Sequence, residues 1–172
     1  MIMKKLLTLT LALFTIGCAT TQPITQVSQQ TSQPVAPTAK PVKTHIMYYW
    51  VDPKSQAQDL MDIRGQFYWQ KGCLYLVNQY GKYAAMFPEY PKEAVQWDEV
   101  NKILILTNKD KEPKQFVFKM GDGIVSNGQY YAYKNISWHT KTADDIKCIL
   151  HQDGVVHIGT IDIEKYDMSD KQ

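Results

Sequence analysis

The sequence lacks the short motifs that mark the common enzyme classes. It contains no G-x-S-x-G nucleophile elbow, no H-E-x-x-H zinc motif, no P-loop and no dinucleotide-binding glycine fingerprint. The acidic clusters Asp98-Glu99, Asp144-Asp145 and Asp162–Glu164 are typical of solvated loop or strand-end charges rather than of paired catalytic carboxylates. We therefore predict a protein that is not an enzyme and that has no catalytic residues and no cofactor.

An excess of charge of either sign is also missing. The chain has 19 basic and 17 acidic residues. If Lys4 and Lys5 are removed with an N-terminal signal, the basic and acidic counts become equal. A nucleic-acid partner usually requires a basic surface, so we predict no nucleic-acid partner.

The apolar run at the N-terminus is too short to span a membrane. Leu6–Ile16 carries no charge and follows Lys4 and Lys5. As a helix this run measures about 16 Å, against about 30 Å for the hydrocarbon core of a bilayer. The basic start, the short apolar core and the small residue Gly17 predict a secretory signal peptide over residues 1–17.

The residues that end this segment, Phe14-Thr15-Ile16-Gly17-Cys18, resemble the lipobox of bacterial lipoproteins, in which the cysteine receives a diacylglycerol. The resemblance implies that Cys18 carries two or three acyl chains, palmitate among them, that anchor the protein in a membrane of the cell envelope. In a Gram-negative cell, Ala19 after the cysteine implies the outer membrane. The alternative is an ordinary signal peptide that is cut near Ala19-Thr20.

Aromatic and acidic residues are absent from Ala19–Thr44. Such a segment cannot bury enough apolar area to offset the entropy of ordering it. We therefore predict a disordered linker over residues 18–44, with an average span of about 28 Å. All four tryptophans and all eleven tyrosines lie in residues 45–172, for which we predict a single β-rich domain.

Short strands separated by turn signals fill this domain. We predict strands at 45–51, 65–69, 73–77, 82–87, 102–107, 115–120 and 124–133. A short helix is predicted to begin at Asp52-Pro53, and Asn127-Gly128 is a hairpin signal. Residues 88–100 are expected to be irregular with one helical turn. The chain is expected to close with a hairpin of residues 145–151 and 155–163 around Asp153-Gly154, followed by a polar tail.

These strands predict a mainly β fold, a small antiparallel barrel or sandwich with a C-terminal hairpin. A set of turn and core residues resembles small OB-like barrel domains of uncharacterised bacterial envelope proteins: Gly65-x-Phe67, Gly72-Cys73-Leu74-Tyr75-Leu76, Met86-Phe87-Pro88, and Met120-Gly121-Asp122-Gly123-Ile124 with Gly128. The resemblance covers about half of the domain and implies the fold rather than an activity.

Two cysteines, Cys73 and Cys148, remain after Cys18. In an oxidising compartment they can form a disulfide, although both lie in apolar contexts that suit buried free thiols. Both alternatives stay open. His151 and His157 have a spacing that resembles metal ligands, but a hairpin at Asp153-Gly154 would point them to opposite faces, so we predict no metal site.

Aromatic side chains are the remaining clue to function. Consecutive aromatic residues on a strand face both ways, so some are expected at the surface, where they suit recognition of sugars, peptides or proteins. The candidate binding aromatics are Tyr49, Trp50, Trp69 and Tyr131. The alternative is that additional elements bury both faces.

Three functions follow from these observations. The favoured one is a non-enzymatic, lipid-anchored envelope module that binds a protein or glycan partner. The second is a periplasmic inhibitor or immunity-like protein that uses a loop at Phe87–Trp97 or Asn108–Lys114. The third is a hydrolase of cell-wall glycan, which needs two convergent carboxylates.

Overall fold

The computed structural model describes residues 42–108 and 113–166. The predicted signal peptide, Cys18 and most of the predicted linker therefore lie outside the described residues. Within the described ranges, no helix combines the length and the apolar character needed to cross a membrane.

The described chain is mainly β. Its ten strands, in chain order, are β1 (Met47–Tyr49), β2 (Met61–Gln70), β3 (Cys73–Asn78), β4 (Gly81–Pro88), β5 (Val95–Asp98), β6 (Ile103–Thr107), β7 (Gln115–Lys119), β8 (Gly123–Ala132), β9 (Gly154–Ile158) and β10 (Glu164–Tyr166). One α-helix, α1 (Ala143–Ile149), precedes β9, and short 3-10 turns lie at Lys92–Ala94, Tyr133–Asn135 and Trp138–Thr140.

Five strands close into a barrel in the order β2, β3, β4, β9, β8 and back to β2. The β4–β9 pair is parallel and the other four pairs are antiparallel. The long strand β2 makes the closure possible because its first half pairs with β8 and its second half with β3, with Gln66 in both registers. The predicted OB-like barrel is confirmed.

The barrel interior forms one apolar cluster. Alternate residues of each strand point inward, as Ile63 and Phe67 of β2 and Val156 and Ile158 of β9 do. The antiparallel sheet β5–β6–β7 adds Phe118 and other side chains to the same cluster. Strand β6, the predicted apolar strand at 102–107, is the central strand of this sheet.

A second apolar cluster lies on the outer side of β3, β4 and β9. Helix α1 packs Cys148 and Ile149 against Tyr75 and Met86 there. A disulfide joins Cys73 to Cys148, so the start of β3 is tied covalently to the helix. Of the two alternatives left open for these cysteines, the structure has the disulfide.

The predicted C-terminal hairpin is wrong, because residues 143–149 are helical. Thr142 is the N-cap of α1 and forms a capping box with Asp145, in which each side chain accepts a hydrogen bond from the other residue's backbone N–H. This capping box satisfies backbone donors at the helix start. Gly154 is therefore the first residue of strand β9, which follows the helix, and not part of a hairpin turn. The predicted polar tail begins with strand β10.

Two further local predictions are corrected. Asp52-Pro53 does not start a helix. Asp52 accepts hydrogen bonds from the Lys54 backbone N–H and the Ser55 hydroxyl, which close a turn. Asn127-Gly128 is not a hairpin, because β8 runs straight through it. Gly128 is needed instead because β8 lies close to β9 at this point. A Cβ at position 128 would lie 2.1 Å from the carbonyl oxygen of His157.

We predict that the disulfide contributes strongly to stability. The double substitution Cys73→Ala and Cys148→Ala should lower the free energy of unfolding by about 4 kcal/mol, because the bond closes a long loop in the unfolded chain. Urea denaturation of both proteins with and without reductant measures this. Reductant should destabilise the native protein and leave the double variant unchanged. Equal denaturation midpoints for the native protein in both conditions would contradict the prediction.

Candidate functional site

The four aromatic residues predicted to bind a partner lie in three different surroundings. Tyr49 is buried, Tyr131 and Trp69 are half-buried, and Trp50 is 73% exposed. The structure brings only Tyr49 and Tyr131 together, against His157. A single binding surface formed by all four residues is therefore not present.

His157 is the centre of a polar and aromatic cluster between β1, β8 and β9. The Tyr49 ring stacks on the imidazole with 4.1 Å between centroids, and the Tyr131 ring lies 4.5 Å from it. His157 Nδ1 is 2.9 Å from Asp59 Oδ2. The Tyr131 hydroxyl lies within hydrogen-bond distance of both Asp59 Oδ2, at 3.4 Å, and Gln129 Oε1, at 3.2 Å.

Burial shifts the pKa of His157 and of Tyr49 in this cluster. Desolvation lowers the pKa of His157 and outweighs the hydrogen bond and charge of Asp59, which act in the opposite direction, while the charge of Lys141 lowers it further. Desolvation also raises the pKa of Tyr49, with smaller contributions from Asp59 and Tyr131. Within the described part of the chain, the buried hydroxyl of Tyr49 has no hydrogen-bond partner.

The cluster connects the segment before β2 to the barrel. Beside Asp59, the Gln58 side chain accepts from the Thr160 backbone N–H at 2.8 Å. The Asn127 amide donates to the Asp59 carbonyl at 2.7 Å. An Asp–His pair also occurs in general-base catalysis. Here the pair joins Asp59, in the segment before β2, to His157 of β9, and Tyr49 and Tyr131 pack against the imidazole.

Trp69 belongs to a separate network. Its indole N–H donates to Thr44 Oγ1 at 2.9 Å, and Lys102 Nζ lies 4.6 Å from its ring centroid. Glu99 accepts from the Thr44 backbone N–H at 3.2 Å and from the Trp97 indole at 2.6 Å. Desolvation opposes ionisation of Glu99, but its hydrogen bonds, including one from Lys102, lower its pKa to about 2. Thr44, the predicted last residue of the linker, is therefore buried on the folded domain.

One cleft of the described residues was not predicted from the sequence. It has a volume of about 750 Å³ and lies where the first half of β2 diverges from the end of β3. Its lining consists of Asp62, Arg64, Gly65, Gln66, Val77, Asn78, Gln79, Tyr80, Tyr130 and Tyr166. Arg64 is the only arginine in the chain.

The backbone of Arg64 is held by two side chains of the cleft. The Tyr130 hydroxyl donates to the Arg64 carbonyl at 2.8 Å and lies 3.3 Å from the Arg64 backbone nitrogen, whose N–H donates to it. Asn78 Nδ2 lies 3.2 Å from the same carbonyl and 3.0 Å from the Tyr130 hydroxyl. In residues 42–108 and 113–166, no carboxylate forms an ion pair with Arg64. Arg64 therefore lines the cleft from a backbone position that Tyr130 and Asn78 hold.

His151 and His157, whose spacing resembles that of metal ligands, lie in different elements. His151 lies in the turn after α1 and His157 on β9. The part of the chain that the structure describes has no group of three or more His, Cys, Asp or Glu side chains arranged to hold a metal ion.

Phe87–Trp97 is not a free loop, because it contains the end of β4, a 3-10 turn and most of β5. In Asn108–Lys114, residues 109–112 lie outside the described residues.

The chain is a small OB-like β-barrel with a cleft on one side that is lined by hydrogen-bonding and aromatic side chains. No protein-family model matches the chain, and no curated protein or solved structure matches it.

We predict that His157 makes the folded state less stable in mild acid. Because its pKa is lowered on folding, the unfolded chain takes up a proton at about pH 6.5 and the folded protein only at lower pH. The free energy of unfolding should therefore fall as the pH decreases from about 6.5 to the folded-state pKa. Chemical denaturation at a series of pH values measures this dependence.

The variant His157→Gln should lose most of the pH dependence in that window. His139→Gln is the matched control, since His139 is exposed, and it should keep the dependence of the native protein. If the free energy of unfolding changes equally with pH in the two variants, the cluster does not control stability in mild acid.

Proposed function

We propose that the chain is a non-enzymatic bacterial lipoprotein of the cell envelope, anchored through a lipid on Cys18, whose barrel binds an envelope partner in the cleft around Arg64. The tether rests on the lipobox-like segment that ends at Cys18. The binding role rests on the cleft, and the observation that carries it is the guanidinium of Arg64.

An arginine side chain offers five N–H donors in a rigid planar fork, which suits recognition of an anionic or hydroxyl-rich group. In this cleft the backbone of Arg64 is fixed by Tyr130 and Asn78, while its side chain is exposed. Asp62 lies two residues away on the same face of β2, yet the two side chains form no ion pair. Within residues 42–108 and 113–166, no carboxylate therefore takes up the donors of Arg64.

Binding is a better account of the cleft than hydrolysis. Hydrolysis of a glycosidic bond normally uses two carboxyl groups on either side of the scissile bond. Among the residues that line the cleft, Asp62 is the one carboxylate. The remaining polar groups are amides, phenols and the guanidinium, which hold a ligand but do not supply a second acid or base near neutral pH.

The tether is tested by mass and by fractionation. The native protein should begin at Cys18, carry added acyl mass and sediment with membranes. A Cys18→Ala variant should lose the added mass and leave the membrane fraction, because alanine has no thiol that can receive the acyl chains on which the anchor depends. Identical mass shifts and fractionation for the two proteins would contradict the tether.

The binding role is tested by photo-cross-linking in cells. A photoreactive residue in place of Gln79, which lines the cleft, should form a discrete adduct with an envelope component. Val100 is the matched control position, because it is 88% exposed and does not line the cleft. The adduct from position 79 should disappear when Arg64→Gln is added. Equal cross-linking from positions 79 and 100, or none from either, would overturn the proposed binding role.

A further inference from the structure

Hydrogen-bonding side chains line most of the cleft at Arg64. Val77 is the only aliphatic side chain of the lining, and the other side chains are a carboxylate, a guanidinium, three amides and three phenols: Asp62, Arg64, Gln66, Asn78, Gln79, Tyr80, Tyr130 and Tyr166. The tyrosine rings and the stems of the long side chains also give the cleft apolar surface, as in most small-molecule pockets. Such a lining places hydrogen-bonding groups beside apolar ring faces.

We infer that the ligand of this cleft is an acidic glycan, a sugar chain that presents neighbouring hydroxyls and a carboxylate. This inference rests on the proposed binding function and names its ligand class. Planar amide, carboxylate and guanidinium groups can each make paired hydrogen bonds with adjacent hydroxyls. Tyrosine adds an apolar ring face with a polar tip, which suits the face of a sugar ring. The exposed Tyr80 provides such a ring at the rim.

Internal hydrogen bonds separate the framework of the cleft from the groups left for a ligand. Asn78 donates to the Arg64 carbonyl and accepts from the Tyr80 backbone N–H at 2.8 Å. The Tyr130 hydroxyl is bonded to the Arg64 backbone. These two side chains position Arg64 and the turn at Tyr80. The exposed side chains that remain are those of Asp62, Arg64, Gln79 and Tyr80.

The charges of the cleft lining favour a ligand with a single carboxylate over a polyanionic ligand. Arg64 is the only cationic side chain in the cleft, and Asp62 is beside it. A phosphodiester polymer is bound through many basic contacts, which this lining does not offer. A single carboxylate on a sugar matches one guanidinium through a bidentate pair, while the hydroxyls of the same sugar suit the carboxylate of Asp62 as an acceptor.

An extended peptide fits the cleft less well. A peptide that adds to a sheet edge needs free backbone donors and acceptors on the edge strand. On β2, the backbone N–H and carbonyl of Arg64 face the cleft but are already bonded to Tyr130 and Asn78. Strand addition at this residue would require both side chains to be displaced.

The test uses the purified full-length protein in detergent and three disaccharides. The first is N-acetylglucosamine linked to N-acetylmuramic acid, the second is chitobiose, which has the same backbone without the lactyl carboxylate, and the third is digalacturonate. Binding is followed by amide chemical shifts in a ¹H–¹⁵N titration. An acidic disaccharide should bind about tenfold more tightly than chitobiose, since it adds one charge-assisted pair, and should shift the amides of Asp62, Arg64, Gln79 and Tyr80.

The variant Arg64→Gln should remove the preference for the acidic sugar, and the matched variant Lys54→Gln, which removes one exposed charge outside the cleft, should keep it. Preference for the muramic disaccharide identifies cell-wall glycan as the source, whereas preference for digalacturonate identifies a uronic-acid polysaccharide. If neither acidic sugar binds better than chitobiose, or if Arg64→Gln has no effect, the inference is overturned. The proposed function survives that result if position 79 still cross-links, and fails with it if cross-linking is also absent.

Discussion

The parallel pairing of β4 with β9 is the constraint on which the rest of the structure depends. It closes the barrel, and its register sets Ala85 beside Val156 on the inner side and Met86 beside His157 on the outer side. Parallel neighbours cannot be joined by a tight turn. The 65 residues between these strands (89–153) must therefore run elsewhere, and they supply the small sheet, β8 and the helix α1.

The closure also explains why binding is expected beside β2 rather than on the face of β3 and β4, where OB-folds commonly bind oligonucleotides and oligosaccharides. In this chain, much of that face is buried beneath α1 and the segment that precedes it. Tyr75 and Met86 pack there against Ile149, and the disulfide to Cys73 holds the helix in place. A ligand could reach that face only by displacing the helix. The open cleft lies instead where β2 leaves β3.

Local patterns predicted the fold where the interactions are local. The alternation in β3 and the apolar run of β6 were sufficient to place both strands. The segment 145–151 was predicted as a strand because a short apolar run does not distinguish helix from strand, and the Thr142–Asp145 capping signal was overlooked. The cleft left no local signal, since Tyr130 of β8 meets Arg64 and Asn78 only when the barrel closes. Tyr49 and Tyr131 were selected for their aromatic character, but the side chains around them decide their role.

The two sides of the barrel differ in how strongly substitutions are expected to affect stability. The side that carries α1 is held by a disulfide and a buried apolar cluster, so substitutions there are expected to unfold the protein. At the cleft, Asp62, Arg64 and Gln79 are exposed, and substitutions of such residues usually change the free energy of unfolding by less than about 0.5 kcal/mol. On the proposed function, the exposed residues of the cleft can therefore change with the ligand while the barrel that positions them stays the same, because Asn78 and Tyr130 hold the backbone of Arg64 without using its side chain.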